Sequence, residues 1–221
     1  MKKRNCMSFA LSTGLFILFI LYTAALRLVD VKPIGPQNSL VGFARLNKSL
    51  HDFLGVNMQL YTITDWLGLA AVLVALGFAV LGAIQLIKRK SLLRVDHSIL
   101  ALGGFYLLVG LVYLFFEYNI INYRPVLING ILEASYPSST TMLVMCIMPT
   151  AMLQFRQRLQ NSRVRACVQV LCGAFTAFMV MARLASGVHW FTDVLGGALL
   201  SAALVMLYYA VERLLAFEFK Q

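Results

Sequence analysis

The sequence predicts an all-α protein that crosses a membrane six times, and two properties support this fold class. The chain of 221 residues is 60% hydrophobic and only 13% charged, with a mean hydropathy of +0.79. This composition is too apolar for an ordinary soluble domain. Its apolar residues also fall into long runs that are separated by short polar loops, as in proteins with several membrane spans.

Six apolar runs are the predicted transmembrane helices. The first follows a basic start, and its length favours a retained helix over a cleaved signal peptide. No internal repeat or change of composition divides the chain, so we expect a single domain over residues 1–221. The predicted spans are 8–29, 66–87, 98–116, 141–155, 164–181 and 194–211.

The segment between the first two spans, residues 30–64, is a polar loop with an amphipathic stretch. Its apolar residues recur at helical spacing, which predicts a helix lying on the membrane surface. Such a helix is typical of a passive interfacial anchor, and a lid over a site is the alternative. The apolar positions are Leu40, Phe43, Leu46, Leu50, Phe53 and Leu54.

The basic residues predict the orientation in the membrane. With the N-terminus inside, thirteen of the 19 Lys and Arg residues lie on the inner side and six on the outer side. The positive-inside rule therefore predicts that both termini are cytoplasmic. Because the net charge of +10 is spread over loops between the spans, it does not indicate a nucleic-acid partner. The four cysteines show neither metal-site nor disulfide spacing.

Three outer loops carry residues that suit phosphate chemistry. His189 and Asp193 are four positions apart near the start of a predicted helix, so the carboxylate can hold one imidazole nitrogen and leave the other as a base or nucleophile. Arg124 and Arg183 are cations suited to bidentate phosphate binding. Residues 137–140 precede an apolar helix, whose N-terminal N–H groups form a natural phosphate seat. Together these residues predict phosphoryl transfer at an outward-facing site built from loops.

These residues resemble the phosphatidic acid phosphatase type 2 superfamily of membrane lipid phosphatases. That family has three signatures, Lys-x6-Arg-Pro, Pro-Ser-Gly-His and Ser-Arg-x5-His-x3-Asp. The third matches Arg183, His189 and Asp193, with Ala182 in place of the usual Ser. The second is represented by residues 137–140, and the first by residues 117–125, which end in Arg-Pro. The resemblance extends from the third to the sixth predicted helix.

The resemblance implies a role for each of these residues. His189 would attack phosphorus and form a phosphohistidine, with Asp193 orienting and polarising the imidazole. The phosphate oxygens would be held by Arg124 and Arg183, with Ser138 and the N–H of Ser139. No metal or cofactor would be needed. The implied substrate is a lipid phosphate or diphosphate that enters from the bilayer, such as phosphatidic acid, phosphatidylglycerol phosphate or a polyprenyl diphosphate.

Two positions depart from the family signatures. Glu117 occupies the place of the family Lys, and Thr140 the place of the His that acts as general acid. A threonine cannot donate a proton to a leaving alkoxide, and the loss of such catalysis costs about 10²- to 10⁴-fold. We therefore expect either a diphosphate substrate, whose leaving group is already a phosphate, or another acid, with Glu117 and Glu133 as candidates. Alternatively, Glu117 faces the headgroup region, pairs with an arginine or orients Arg124.

Other functions remain open at this point. The phosphoryl group could pass to an alcohol instead of water, which would make the protein a lipid phosphotransferase. The chain could also be a non-catalytic member that binds a lipid phosphate, although binding alone would not need the pair of His189 and Asp193. We expect the partners to be the bilayer and a membrane lipid phosphate, in the plasma membrane of a bacterium. A homo-oligomer is compatible with the sequence.

Overall fold

The computed structural model describes the backbone of residues 2–218 and the side chains of residues 5–216. Lys2, Lys3, Arg4 and Lys220, which contribute to the predicted orientation, lie outside the described side chains. The described part of the chain is all-helical, as predicted, with isolated β-bridges in its loops. Its α-helices are α1 (Lys2–Leu28), α2 (Ala44–Leu54), α3 (Met58–Arg89), α4 (His97–Tyr118), α5 (Ser139–Arg158), α6 (Ser162–Ala185) and α7 (Phe191–Glu218).

Five of the six predicted spans lie within long helices, and the first, 8–29, extends one residue beyond the end of α1. Helices α1, α3, α4, α6 and α7 each contain a segment that is long and apolar enough to cross a membrane, so this is a multi-pass membrane protein. Helix α3 begins eight positions before the span predicted at 66–87, and α6 extends four positions beyond the span predicted at 164–181. The sequence therefore located the spans but underestimated their length.

The predicted span 141–155 differs from the other five. It forms α5, a helix of 20 residues, but this helix is less apolar than the five candidate spans. At 1.5 Å per residue it is about 30 Å long, the thickness of a hydrocarbon core. Its polar side chains, which include Thr141, Thr150 and Gln154, are buried within the protein. Because α5 packs against α3, α4, α6 and α7, it does not need a lipid-facing composition.

Helices α5 and α7 form the centre of the bundle. Helix α7 packs along α1 and against α5, with buried leucines at Leu200 and Leu204. The close approach at the outer end depends on Gly196, where a Cβ atom would lie 2.3 Å from the ring of Tyr136. That ring also stacks against Phe19 of α1, with the ring centroids 6.3 Å apart. The start of α7 is therefore held firmly against the loop that leads into α5.

The amphipathic helix predicted within residues 30–64 is present as α2. Leu46, Phe53 and Leu54 leave much of their side-chain area exposed, as expected of a helix at a membrane surface. The opposite face of α2 contacts the start of α7, so the helix is more than an isolated anchor. Gly55, which ends α2, lies against Gly187 in the loop between α6 and α7.

Candidate active site

His189 is held in the short loop between α6 and α7, and its surroundings determine which ring nitrogen carries the proton. Its side chain is buried, and Nε2 lies 3.0 Å from Arg124 Nη1. A guanidinium can only donate, so Nε2 must accept and therefore carries the lone pair. The proton then resides on Nδ1, which lies 3.8 Å from Asp193 Oδ2. This arrangement directs the lone pair of Nε2 towards a cation of the kind that binds phosphate.

Asp193 is fixed by the way in which α7 begins. Trp190 is the residue before the helix, and its N–H donates to Asp193 Oδ2 at 2.9 Å, which is half of a capping box. The other oxygen, Oδ1, accepts a hydrogen bond of 3.1 Å from Asn122 Nδ2. Asp193 is fully buried, so its carboxylate is held in one orientation by these two donors. The helix start and the loop after α4 therefore jointly aim the carboxylate at the imidazole.

Burial controls the charge of His189. The pKa of the imidazole is lowered to about 4, mainly by removal from water and also by the nearby guanidiniums of Arg124 and Arg183. Asp193 opposes this effect by attracting the protonated form, but burial outweighs it. The imidazole is therefore neutral at physiological pH, which is the form that can attack phosphorus.

Arg124 is positioned by a tight hairpin. Residues 123 and 134 form a β-bridge, as do residues 128 and 131. Asn129 and Gly130 at the tip both have positive φ, which is typical of the tightest hairpin turns. The hairpin places Glu133 opposite Arg124, with Glu133 Oε2 3.0 Å from Arg124 Nε. This ion pair orients the guanidinium so that Nη1 reaches His189.

Arg183 is almost completely buried at the end of α6. Its guanidinium lies over the ring of Tyr61 at 4.7 Å, and the guanidinium of Arg124 lies over the same ring at 5.7 Å. Arg183 Nη1 also donates to Thr64 Oγ1 at 3.2 Å and lies 3.7 Å from Asp65 Oδ1. Its Nε has no hydrogen-bond partner among the described residues, and an unpaired buried donor of this kind favours binding of an anion.

The second predicted signature forms the first turn of α5. Ser139 is the first helical residue, and no side chain of the described residues caps this helix start. Its first N–H groups therefore lack intrahelical partners, which suits a phosphate oxygen. Ser138 plays a different part, because it is fully buried and its N–H donates to the Asp193 carbonyl at 3.0 Å. Its Oγ accepts from Thr141 Oγ1, so its contacts join α5 to α7.

A cavity of about 470 Å³ brings many of these residues together. Arg124, Ser139 and His189 line it, whereas Arg183, Ser138, Asp193 and Thr140 lie outside its lining. The methyl group of Thr140 faces α3, where it would lie 3.5 Å from a Cβ atom at Gly68. The two carboxylates considered as replacement acids, Glu117 and Glu133, both line the cavity.

Some contributors were missed by sequence reasoning. The dipeptide Asn129-Gly130 is a strong hairpin signal, and it would have predicted that Glu133 pairs with Arg124. Nothing in the pattern indicates that Tyr61 supports both arginines. Asn47 of α2 is also unexpected, because it is fully buried and its Oδ1 accepts from the Thr192 N–H at 3.2 Å. Asn47 therefore caps α7 from a helix that is distant in sequence.

Comparison with known proteins identifies the family and the fold of the chain. The PAP2 superfamily matches residues 96–215, which is more than half of the chain. The chain therefore belongs to the PAP2 superfamily, the phosphatidic acid phosphatase type 2 superfamily expected from the sequence. The fold is similar to a crystal structure described as the first transmembrane PAP2 type phosphatidylglycerolphosphate phosphatase from Bacillus subtilis, with a TM-score of 0.63 and 19% identity over 91% of this chain and 96% of that chain. Comparison with curated protein sequences finds no significant match. Family and fold together define a membrane phosphatase of the lipid phosphatase class.

Replacement of Asn47 by alanine is expected to lower turnover about tenfold, because it leaves the Thr192 N–H buried without a partner and loosens the start of α7. Lys48→Ala is the matched control, since the side chain of Lys48 is exposed and pairs with Asp52. Both variants would be compared by phosphate release and by thermal unfolding. Asn47→Gln should not restore the rate, because the longer side chain moves the amide away from Thr192. Equal turnover of the two alanine variants would contradict this role.

Proposed function

We propose that this protein hydrolyses a lipid phosphate or diphosphate through a phosphohistidine at His189. The observation that carries the proposal is the 3.0 Å contact between Arg124 Nη1 and His189 Nε2. It directs the lone pair of the nucleophile towards a cation suited to a phosphate oxygen, at the wall of a cavity. A non-catalytic binding site would gain nothing from this arrangement.

In the proposed first step, His189 Nε2 attacks phosphorus, a P–N bond forms and the P–O bond to the lipid breaks. The leaving oxygen then takes up a proton from water, and Asp193 stabilises the positive charge on the imidazole. In the second step, water attacks phosphorus, the P–N bond breaks and phosphate leaves, which restores neutral His189. Arg124, Arg183 and the free N–H groups of α5 would stabilise the negative charge of both transition states without a metal.

The lipid part of the substrate has a suitable place beside the site. A second cavity of about 520 Å³ lies between α1 and α4, and its lining includes Phe19, Ile20 and Phe115. Phe116 lines this cavity and also the cavity at His189. We propose that an acyl or prenyl chain occupies the α1–α4 cavity while its phosphate lies at Arg124. The expected orientation, with cytoplasmic termini and an extracytoplasmic site in the plasma membrane of a bacterium, would place this substrate in the outer leaflet.

The leaving group is expected to decide which substrates turn over fastest. Since Thr140 faces α3 and cannot act as an acid, lipid diphosphates should react about 10²-fold faster than alkyl lipid monophosphates of equal chain length. The measurement is phosphate release by the purified protein in detergent micelles, with phosphatidic acid, phosphatidylglycerol phosphate and a polyprenyl diphosphate. Equal rates would show that another group donates the proton. Release from none of them would argue against the proposed function.

The pH dependence of kcat/KM should follow the lowered pKa of His189. Protonation removes the lone pair, so a pKa of about 4 means that activity persists through pH 6 and 5 and is lost as the pH falls through about 4. An unperturbed imidazole would lose activity near pH 6.5. The substrate phosphate also titrates, near pH 6, so its ionisation would be measured separately by phosphorus NMR. A fall near pH 6.5 after that correction would contradict a buried, neutral nucleophile.

A further inference from the structure

The charges that line the cavity at His189 are unusual for a phosphate site. They are two carboxylates, Glu117 and Glu133, and one guanidinium, that of Arg124. With neutral His189, the lining carries more negative than positive charge, yet the proposed substrate brings at least one further anionic group. Like charges at short range disfavour binding unless a positive group lies between them. The lining therefore fits a ligand that is anionic at one end and cationic at the other.

The two carboxylates are not equivalent. Glu133 already pairs with Arg124, with Glu133 Oε2 3.0 Å from Arg124 Nε. Glu117 lies in the last turn of α4 and takes part in none of the ion pairs found among the described residues. A carboxylate at the C-terminal end of a helix lies against the negative end of the helix dipole, where a cation would be favoured. Glu117 is thus an exposed carboxylate in the cavity lining that no cation of the described residues pairs with.

We propose that Glu117 and Glu133 bind an ammonium group of the substrate, next to the phosphate held at Arg124 and His189. The inference rests on the proposed hydrolysis and specifies its substrate class: a zwitterionic lipid phosphate whose leaving alcohol carries an amine close to the ester oxygen. Glu117 occupies the position where the family signature has a lysine. The positive charge that this lysine provides in the family would here be provided by the ammonium group of the substrate.

Such a substrate also compensates for the missing general acid. When the P–O bond breaks, negative charge develops on the leaving oxygen, and Thr140 cannot protonate it. An ammonium group held beside this oxygen would stabilise the developing charge electrostatically. The two carboxylates would keep the ammonium in place and preserve its charge. A positively charged leaving group is thus an alternative to a diphosphate.

The test uses two long-chain alkyl phosphates that differ only in an amino or a hydroxyl group on the second carbon. For the wild-type protein, kcat/KM should be at least about tenfold higher for the amine. Glu117→Gln should bring the ratio close to one, and Glu117→Lys should reverse it. Glu212→Gln is the matched control, because Glu212 lies on α7 away from the cavity and bonds to Gln157.

The outcomes separate this inference from the proposed function. An unchanged ratio in Glu117→Gln would overturn the inference, and so would an equal loss of activity on both compounds, which would indicate a proton donor. If His189→Ala abolishes turnover of the hydroxyl compound, the proposed hydrolysis stands whichever ratio is found. If neither compound is hydrolysed, the proposed function is wrong. The inference about the ammonium group is then tested by the shift in melting temperature that each compound causes when it binds. A larger shift for the amine in the wild-type protein, lost in Glu117→Gln, would support binding of the ammonium group by Glu117. Equal shifts for the two compounds would overturn the inference.

Discussion

Replacement of His189 by alanine is expected to lower kcat/KM about 10⁴-fold or more for every lipid phosphate or diphosphate that the protein hydrolyses. The side chain is buried at the cavity wall, and its Nε2 lies 3.0 Å from the guanidinium that would hold the phosphate. Among the described residues that line the cavity, no other imidazole or thiol is present, so no second side chain of these types could take its place. The remaining rate would come from binding and from charge stabilisation alone.

Two measurements distinguish loss of chemistry from loss of structure. His97→Ala, a change at the opposite end of α4 from the site, should retain activity and serves as the matched control. With labelled substrate, rapid acid quenching should trap an acid-labile phosphoenzyme in the wild-type protein and none in His189→Ala. If the variant retained a tenth of the activity or more, the phosphohistidine mechanism would have to be abandoned.

The second largest effect is expected for Asp193→Asn, which should lower kcat about 10³- to 10⁴-fold. The two carboxylate oxygens accept from the Trp190 N–H and from Asn122 Nδ2, and Oδ2 also faces His189 Nδ1. An amide nitrogen cannot accept, so one of these donors must lose its partner. The imidazole would also lose the negative charge that faces Nδ1 at 3.8 Å and favours a proton there, and the other tautomer would place that proton on the attacking nitrogen.

The effect should appear mainly in kcat, because Asp193 does not line the cavity that would hold the phosphate. Asp52→Asn removes a carboxylate from the exposed surface of α2 and should leave kcat unchanged. Single-turnover measurements would show whether formation of the phosphoenzyme is the slowed step. If Asp193→Asn had the wild-type kcat, burial and Arg124 alone would be sufficient to orient His189.

The sequence predicted the order of the helices better than the contacts between them, and the structure places several of the predicted site residues close together. The spacing of His189 and Asp193 depends only on local helix geometry, which is why it could be read directly. The predicted surface helix was also found, since its apolar positions recur at helical spacing. Arg124 could be assigned from its neighbour Pro125 within a family signature, and the structure brings it to His189.

The rotation of the long helices could not be predicted. Membrane helices are apolar on all sides, so periodicity does not show which face is buried. For this reason the sequence did not reveal that Thr140 faces α3 or that Tyr61 supports both arginines. The role of Asn47 depends on a contact across 145 positions of the chain, for which no local pattern exists.

The capping of α7 by Asn47 has a consequence for biosynthesis. The family signatures lie after residue 96, yet the start of α7 is tied to α2 by Asn47 and to α1 by Tyr22, whose hydroxyl donates to the Thr192 carbonyl at 3.1 Å. A membrane protein is inserted from its N-terminus, so α1 and α2 are already in place while the later helices are made. His189 therefore acquires its surroundings only after the last helix has been inserted. A chain interrupted during translation would carry the early helices and the arginine hairpin, but it would release no phosphate.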